Sequence, residues 1–309
     1  MDNRLYLIDG MYIAFRAYYA MSQGNFMSKS NVPTGAILGF CHMITTLLER
    51  LNPTNIAVCF DCRAKTFRSD IYVDYKANRV DFPEDLGVQL PYIKDFLDLI
   101  GVNRVELSGY EADDIIGTYS SIASGVGMEV YCWSNDKDFY QLLDNNVSIL
   151  RNSRDRGGSE FDVIRFSDVK GIFGVHSDEV VDYLSLIGDA SDNVPGVRGI
   201  GEKTAVPLIE RYKTIENIYA NIDNIDNLRI KKLLQDGKDN AFLSKRLVTI
   251  DRNVPLEKDY TSLKRRAVDY IGLEELLSSL GLRQLRERWL RNKHTDNTNT
   301  NTESELTLW

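Results

Sequence analysis

The sequence predicts an α/β protein in which a central, mainly parallel sheet flanked by helices is joined to a second, mostly helical domain. Three observations carry that expectation. Over the first 165 or so residues, short continuous apolar runs alternate with helix-like stretches, as parallel strands buried on both faces between crossover helices require. From about residue 166 the periodicity becomes helical and is broken by glycines. The 309 residues are 43% hydrophobic and 27% charged, which suits roughly two domains with sizeable cores.

Taken in order, RLYLIDG opens at residue 4 as a strand that is greasy until its terminal Asp9. GAILGFCHMITTLLERL follows with helical spacing, then NIAVCFDC as a strand, PYIKDFLDLIG as a helix, NRVELSG as a strand, ADDIIGTYSSIA as a helix and MEVYCWS as a strand. The later helices are VVDYLSLIG, GEKTAVPLIERY, TIENIYANI, LRIKKLLQDG, NAFLSKRLVTI and IGLEELLSSLGLRQLRERWLRN. This divides the chain into an α/β domain at 1–165 with a basic arch at about 63–85, and a helical domain at 166–293. A helix-hairpin-helix element is expected at about 186–210. The Asn/Thr-rich HTDNTNTNTESELTLW, 294–309, has little to bury and reads as a disordered tail or linker.

Lys and Arg total 37 against 45 Asp and Glu, a net charge of −8 that excludes a uniformly basic nucleic-acid coat but leaves room for local basic patches. Four cysteines are too few for a disulfide scaffold at this length. No run reaches the roughly 18 apolar residues of a membrane span, and the opening MDNRLYLIDG lacks the zones of a signal peptide. The expectation is a cytoplasmic protein that does not engage a membrane.

The chemistry is in the acids. Asp9 closes LYLI and Asp61 closes IAVCF, so both carboxylates fall at the carboxyl ends of expected parallel strands, where open α/β sheets place their ligand crevice. Glu111, Asp113 and Asp114 open a helix, Asp136 and Asp138 follow a strand in NDKDFYQLL, and Asp189 and Asp192 lie in GDASDNVPG. Each cluster alone also suits helix capping, a turn or a helix dipole. Nine carboxylates converging on one sheet edge would repel one another unless cations neutralised them, and oxygen ligands without histidine or thiolate select Mg²⁺ or Mn²⁺. Two such ions support in-line displacement at phosphorus, hence phosphodiester hydrolysis.

Other motifs compete less well. GVRGIGEKT approximates a phosphate-binding loop, but Glu202 separates Gly201 from Lys203 and no strand precedes it. It reads better as a hairpin whose backbone N–H groups, with Lys203, hold a nucleic-acid phosphate, or simply as a tight helix–helix turn at Gly199 and Gly201. Cys59 and Cys62 form a lone CxxC with no second pair, and the three histidines are scattered, which argues against zinc. His42, in an apolar helix, reads as a packed core residue. After Asp61, Arg63, Lys65, Arg68, Lys76 and Arg79 outnumber Asp70 and Asp74; the stretch is a solvated helix face or a strand-gripping arch with Tyr72 or Tyr75 to stack on a base.

These segments, in this order, resemble the 5′ nuclease family of bacterial polymerase-associated exonucleases, phage 5′ exonucleases and flap endonucleases. LYLIDGMYIAFRAYYA, AVCFDCRAKTFRSDIYVDYKANR, GYEADDIIGT, SNDKDFYQL and GDASDNVPGVRGIGEKTA carry the resemblance over residues 4–292. It implies the PIN-like 5′ nuclease fold and a structure-specific, divalent-metal-dependent nuclease cutting DNA at 5′ ends and 5′ flaps, as in primer removal and repair. It further implies that Asp9, Asp61, Glu111, Asp113 and Asp114 mainly hold a first metal, and Asp136, Asp138, Asp189 and Asp192 mainly a second. Lys76 and Arg79 would act on the scissile phosphate. Arg68, Tyr75, Gly199, Gly201, Lys203 and Thr204 would bind DNA, and the family sometimes holds a monovalent cation such as K⁺ at this hairpin. The implied partners are branched or 5′-ended DNA, RNA primer–DNA hybrid and a DNA polymerase. The implied state is a nucleoid-associated monomer. Asn135 stands where the family usually has a small residue before DKD. An inactive branched-DNA clamp and an RNA nuclease are the alternatives in function.

Overall fold

The computed structural model describes residues 3–62, 64–79, 81–153, 161–256 and 260–291; the expected tail at 294–309 lies outside them. The elements run β1 (Arg4–Asp9), α1 (Gly10–Met21), α2 (Gly35–Leu51), β2 (Asn55–Cys59), α3 (Phe67–Ile71), α4 (Glu84–Leu99), β3 (Asn103–Val105), α5 (Ala112–Gly125), β4 (Glu129–Trp133), β5 (Val147–Asn152) and β6 (Phe161–Ile164). Helices then follow: α6 (Val169–Phe173), α7 (Val180–Ile187), α8 (Glu202–Tyr212), α9 (Ile215–Ala220), α10 (Leu228–Asp236), α11 (Lys238–Val248) and α12 (Tyr270–Ser279). A further helical stretch, α13, covers 283–291. Among the described residues no helix is long and apolar enough to cross a membrane.

The strands hydrogen-bond in the order β3-β2-β1-β4-β5-β6. β1 and β4 are parallel, with Ile8 opposite Trp133, as are β4 and β5, whereas β6 returns antiparallel with Ile164 opposite Ile149. The mainly parallel sheet is therefore the one the apolar runs predict. Sequence patterning misses β5, β6 and α1. β6 is a four-residue edge strand with no fully buried position, so it lacks an apolar run. α1 begins directly at Gly10 after β1, with no acid in its first turn to announce it. α4 starts at Glu84, seven residues before the helix read from Pro91, because Pro91 lies inside the helix rather than at its start.

The residues group into two compact units. One comprises Met1–Asp9, Cys59–Asp81 and Val105–Tyr260, and the expected domain edge at 165/166 falls within it. Its interior includes Leu5, Leu7, Ile8, Val130, Trp133, Phe139 and Tyr140. The other comprises Gly10–Val58, Phe82–Arg104 and Thr261–Trp309. There Gln89 accepts a hydrogen bond from Ile37 N at 3.2 Å, and Trp289 packs edge-on against Phe96 while donating to Thr45 Oγ1 at 3.0 Å. His42, expected in the core, is half-buried with Nδ1 3.3 Å from Arg288.

Candidate acidic site

Every sequence-predicted site residue lies in the first unit. Parallel pairing of β1 with β4 brings their carboxyl ends side by side, so that Ser134, just past β4, donates from Oγ to Asp9 Oδ2 at 3.0 Å. The same Oγ accepts from Asp136 N at 3.1 Å, and Asp136 Oδ1 accepts from Asp138 N at 2.9 Å, so one hydroxyl fixes the turn that carries two of the acids. Ser134 holds this turn in place, and no charge marks it in the sequence. Asp61, just past β2, accepts from Ala112 N at 2.8 Å and so reaches the amino terminus of α5, where an acceptor complements the exposed N–H groups. Glu111 is the N-cap of α5 and forms a capping box with Asp114. Asp189 and Val194 exchange backbone hydrogen bonds at 2.9 and 2.8 Å, closing a tight loop that carries Asp189 and Asp192.

The acids sense one another. Burial, followed by repulsion from Asp136 and Asp9, pushes the Asp113 carboxyl well above the usual carboxylate range. Burial likewise raises Asp136, with Asp192 and Asp189 adding to the rise, and raises Asp138, with Asp136 and Asp189 adding to it. Asp138 Oδ1 is buried and accepts no hydrogen bond. Asp189 is the contrast: burial acts to raise it, but Ser191, which donates from N and Oγ at 2.9 and 2.7 Å, and Lys137 at 3.1 Å bring it below the ordinary value. Lys137 sits between the two acids of DKD and was not anticipated. Among the described residues, no three or more His, Cys, Asp or Glu side chains close into a ready-made metal cage.

The basic arch root is α3, and the turn after it is fastened to the Asp189–Val194 loop. Lys76 N donates to Asp192 O at 2.9 Å, Asn78 Nδ2 to Ala190 O at 2.6 Å, and Asn193 Nδ2 to Asp74 O at 2.7 Å. Lys76 adopts φ +59, a left-handed conformation uncommon outside glycine, asparagine and aspartate, which marks a strained turn at this point. It aims Nζ at Glu111 Oε2, 3.0 Å away, and at Asp192 Oδ2, 3.8 Å away. Arg79 pairs with Asp192 Oδ1 at 2.6 Å and remains 49% exposed along its side chain.

Three of the expected site residues make their contacts inside the protein. Arg68, expected to bind DNA, is 2% exposed; it donates to both Asp114 oxygens at 2.7 Å, from Nε to Leu247 O at 2.8 Å, and from Nη2 to Thr249 O at 2.8 Å. Its guanidinium is used up inside the protein. Asp114, expected as a metal ligand, is 0% exposed and also accepts from Glu111 N at 3.1 Å and Asp251 N at 2.9 Å, so its oxygens are committed to a clamp. Tyr75, expected to stack on a base, directs its hydroxyl to Glu111 at 3.2 Å and Asp192 at 3.4 Å. Burial and those two carboxylates hold its phenol protonated far above the ordinary range.

The hairpin connects α7 and α8. Gly199 has φ +89, and a Cβ there would also press on Leu233, so glycine is required on both counts. Gly201 is the N-cap of α8, with open space around its Cα; Lys203 is exposed in the first turn, and Thr204 N donates to Gly201 O at 2.9 Å. An exposed helix amino terminus with an adjacent lysine is a built cradle for an anion.

Carboxylates gathered past the ends of parallel strands and faced by a basic turn are of the class of arrangement that suits metal-assisted phosphoryl transfer on α/β sheets. The chain belongs to the 5′-3′ exonuclease family: residues 4–173 match its N-terminal resolvase-like domain and residues 175–270 its C-terminal SAM fold. The chain is 39% identical over 285 residues to the DNA polymerase I of Caldicellulosiruptor bescii, covering 92% of this chain and 33% of that one. It is 34% identical over 286 residues to the DNA polymerase I of Bacillus subtilis, covering 93% and 32%. The chain thus spans about a third of the length of these curated relatives. Its fold is similar to that of a phage T5 5′-exonuclease with bound zinc (TM-score 0.65, 20% identity, covering 90% and 99%). It is also similar to the Rad2 catalytic core in complex with DNA substrate (TM-score 0.60, 13% identity, covering 90% and 88%).

Proposed function

We propose that this chain is a structure-specific DNA 5′ nuclease that hydrolyses phosphodiester bonds at 5′ ends and 5′ flaps with the aid of two divalent ions, Mg²⁺ or Mn²⁺, in primer removal and repair. The observation that carries the reading is the gathering of carboxylates past the carboxyl ends of β1, β2 and β4, where Ser134 ties Asp9 to the Asp136–Asp138 turn, Lys76 Nζ reaches Glu111 and Asp192, and neighbouring carboxylates add to the burial that raises Asp113, Asp136 and Asp138. The donor set fits hard cations, being oxygen throughout, and Asp138 Oδ1 is a buried acceptor without a partner.

Asp9, Asp61, Glu111 and Asp113 would hold one ion and Asp136, Asp138, Asp189 and Asp192 the other. When bound, the ions would supply an activated water and neutralise charge on the phosphate oxygens. Asp114 acts instead through Arg68, which keeps Glu111 and the start of α5 in place. Lys76 and Arg79 lie across Glu111 and Asp192, where a phosphate entering the crevice would meet their charges. The hairpin at Gly199 and Gly201, with Lys203 and Thr204, would grip duplex phosphate, and a monovalent cation such as K⁺ would bind at this hairpin. The substrates are branched or 5′-ended DNA, including RNA primer–DNA hybrids. A DNA polymerase is the proposed partner, and the proposed state is a nucleoid-associated monomer in the cytoplasm.

The test is a labelled 5′-flap DNA with Mg²⁺. Wild type cuts near the junction, whereas Asp136→Asn, which keeps an acceptor for Asp138 N, loses cleavage by orders of magnitude. Mg²⁺ also raises the melting temperature of wild type more than that of the variant, because binding to the folded state alone stabilises it. No cleavage by wild type, or undiminished cleavage by Asp136→Asn, sinks the reading.

A further inference from the structure

Behind the arch root lies a cavity of about 660 Å³ that none of the catalytic or hairpin residues lines. Phe67 and Ile71 of α3 form one wall, Gln141 and Ile250 contribute the floor, and Arg246 and Arg252 stand at the rim. The floor is rigidly built. Gln141 donates from Nε2 to Val248 O at 2.8 Å and accepts from Ile250 N at 3.0 Å, while Arg252 donates to Gln141 O. The segment from Leu247 to Asp251 is also held by the Arg68–Asp114 clamp.

Its charge is lopsided. Lys245, also at the cavity, is neutralised by Asp182 at 2.7 Å and Glu216 at 2.8 Å. Arg246 is exposed in the last turn of α11, and no described residue pairs with it. Arg252 is exposed too but donates to Gln141 O and lies in the field of Asp144, so Arg246 is the arginine with no described partner; the lining carboxylate Asp251 is engaged by Asn253 N at 2.8 Å. An apolar, partly aromatic wall beside the Arg246 and Arg252 guanidinium groups matches a nucleotide, with a flat apolar base and an anionic phosphate, and the volume falls within the roughly 300–1,000 Å³ of small-ligand pockets.

We infer that this cavity is a subsite for a nucleotide of the displaced 5′ single strand, seated between α3 and α11 on the far side of the clamp from the acidic crevice. The inference rests on the nuclease reading above. Because α3 supplies both a cavity wall and the root of the turn carrying Lys76 and Arg79, strand bound here would steady the arch from its base.

The experiment measures binding of flapped DNA by fluorescence anisotropy with Ca²⁺, comparing long and short flaps across a range of salt, and cleavage of the same substrates with Mg²⁺. Arg246→Ala is expected to weaken long-flap binding by about 3- to 10-fold and to flatten its salt dependence by about 0.7, the share of one single-strand phosphate. Short-flap binding and cleavage are expected to stay at wild-type levels, and Arg246→Lys to restore long-flap affinity. Equal loss on both flap lengths, or no loss on either, overturns the subsite while wild-type cleavage leaves the nuclease reading standing. A wild type that neither binds nor cuts any flap overturns both.

Discussion

The buried pair of Arg68 and Asp114 makes a quantitative claim about stability. Asp114 is 0% exposed and accepts four hydrogen bonds, two of 2.7 Å from the guanidinium and two from backbone N–H groups at 3.1 and 2.9 Å. Asp114→Ala strands a guanidinium that is 2% exposed, with carbonyl partners and one 3.4 Å contact to Glu111. Breaking a buried ion pair from one side costs about 3–5 kcal/mol. The two orphaned N–H groups add about 1 kcal/mol or more each, offset in part by entering water, so the net loss is about 4 kcal/mol. Arg68→Met leaves a buried carboxylate that retains its two backbone donors, at a cost of about 3 kcal/mol. The double variant Arg68→Met/Asp114→Leu removes both charges, and the summed single losses should exceed its loss by about 3 kcal/mol. Urea unfolding, read by circular dichroism and tryptophan fluorescence at unchanged m, measures the cycle. Additive single losses, or an Asp114→Ala loss below about 1 kcal/mol, would refute the clamp.

Three further outcomes follow from individual placements. Asp138→Asn should raise the thermal midpoint at neutral pH, because it removes a buried, repelled carboxylate; since the folded value lies above the unfolded one, the wild-type deficit grows as pH rises from the ordinary carboxylate range and the gain should vanish below it. A lower midpoint at neutral pH contradicts this. Glu179 behaves oppositely: burial acts to raise it, but His176 N at 2.9 Å and Lys213 at 2.9 Å hold it below its ordinary value. Its stabilisation is therefore present at neutral pH and lost as pH falls through the carboxylate range, so Glu179→Gln should flatten the acid limb of a stability–pH curve, and an unchanged limb counts against it. Gly199→Ala should cost about 1–2 kcal/mol from the left-handed backbone and weaken duplex binding; unaltered urea unfolding would remove the need for glycine there.

The sheet was readable because strands buried on both faces leave continuous apolar runs, as RLYLI, NIAVC and MEVYCW do. The crevice was readable because Asp9 and Asp61 interrupt such runs where hydrophobic residues would continue them. Division of labour among the acids was not. Nothing in GYEADDIIGT distinguishes Asp114 from Asp113; the difference is made by Arg68 and by the backbone of Asp251, neither adjacent in sequence. Arg68 itself lies in a basic run with the exposed Lys65 and Arg79, so composition assigned it to the surface. β6 escaped because an edge strand need bury neither face.

The hydrogen bond from Arg68 to Leu247 O joins residues 179 apart in sequence, and that from Asp251 N to Asp114 joins residues 137 apart. During synthesis, α5 and the arch root therefore emerge long before the backbone that completes their clamp. Until residue 251 is available, Arg68 and Asp114 have each other but lack two carbonyl acceptors and one N–H donor. Assembly dominated by such distant pairings is slow, on the millisecond-to-second scale typical of non-local folds. A polypeptide stopped at residue 173, where the first family domain ends, would carry most of the acids yet leave their scaffold unfinished. The helical part of the chain thus acts late, as the piece that locks an already translated catalytic half into a single conformation.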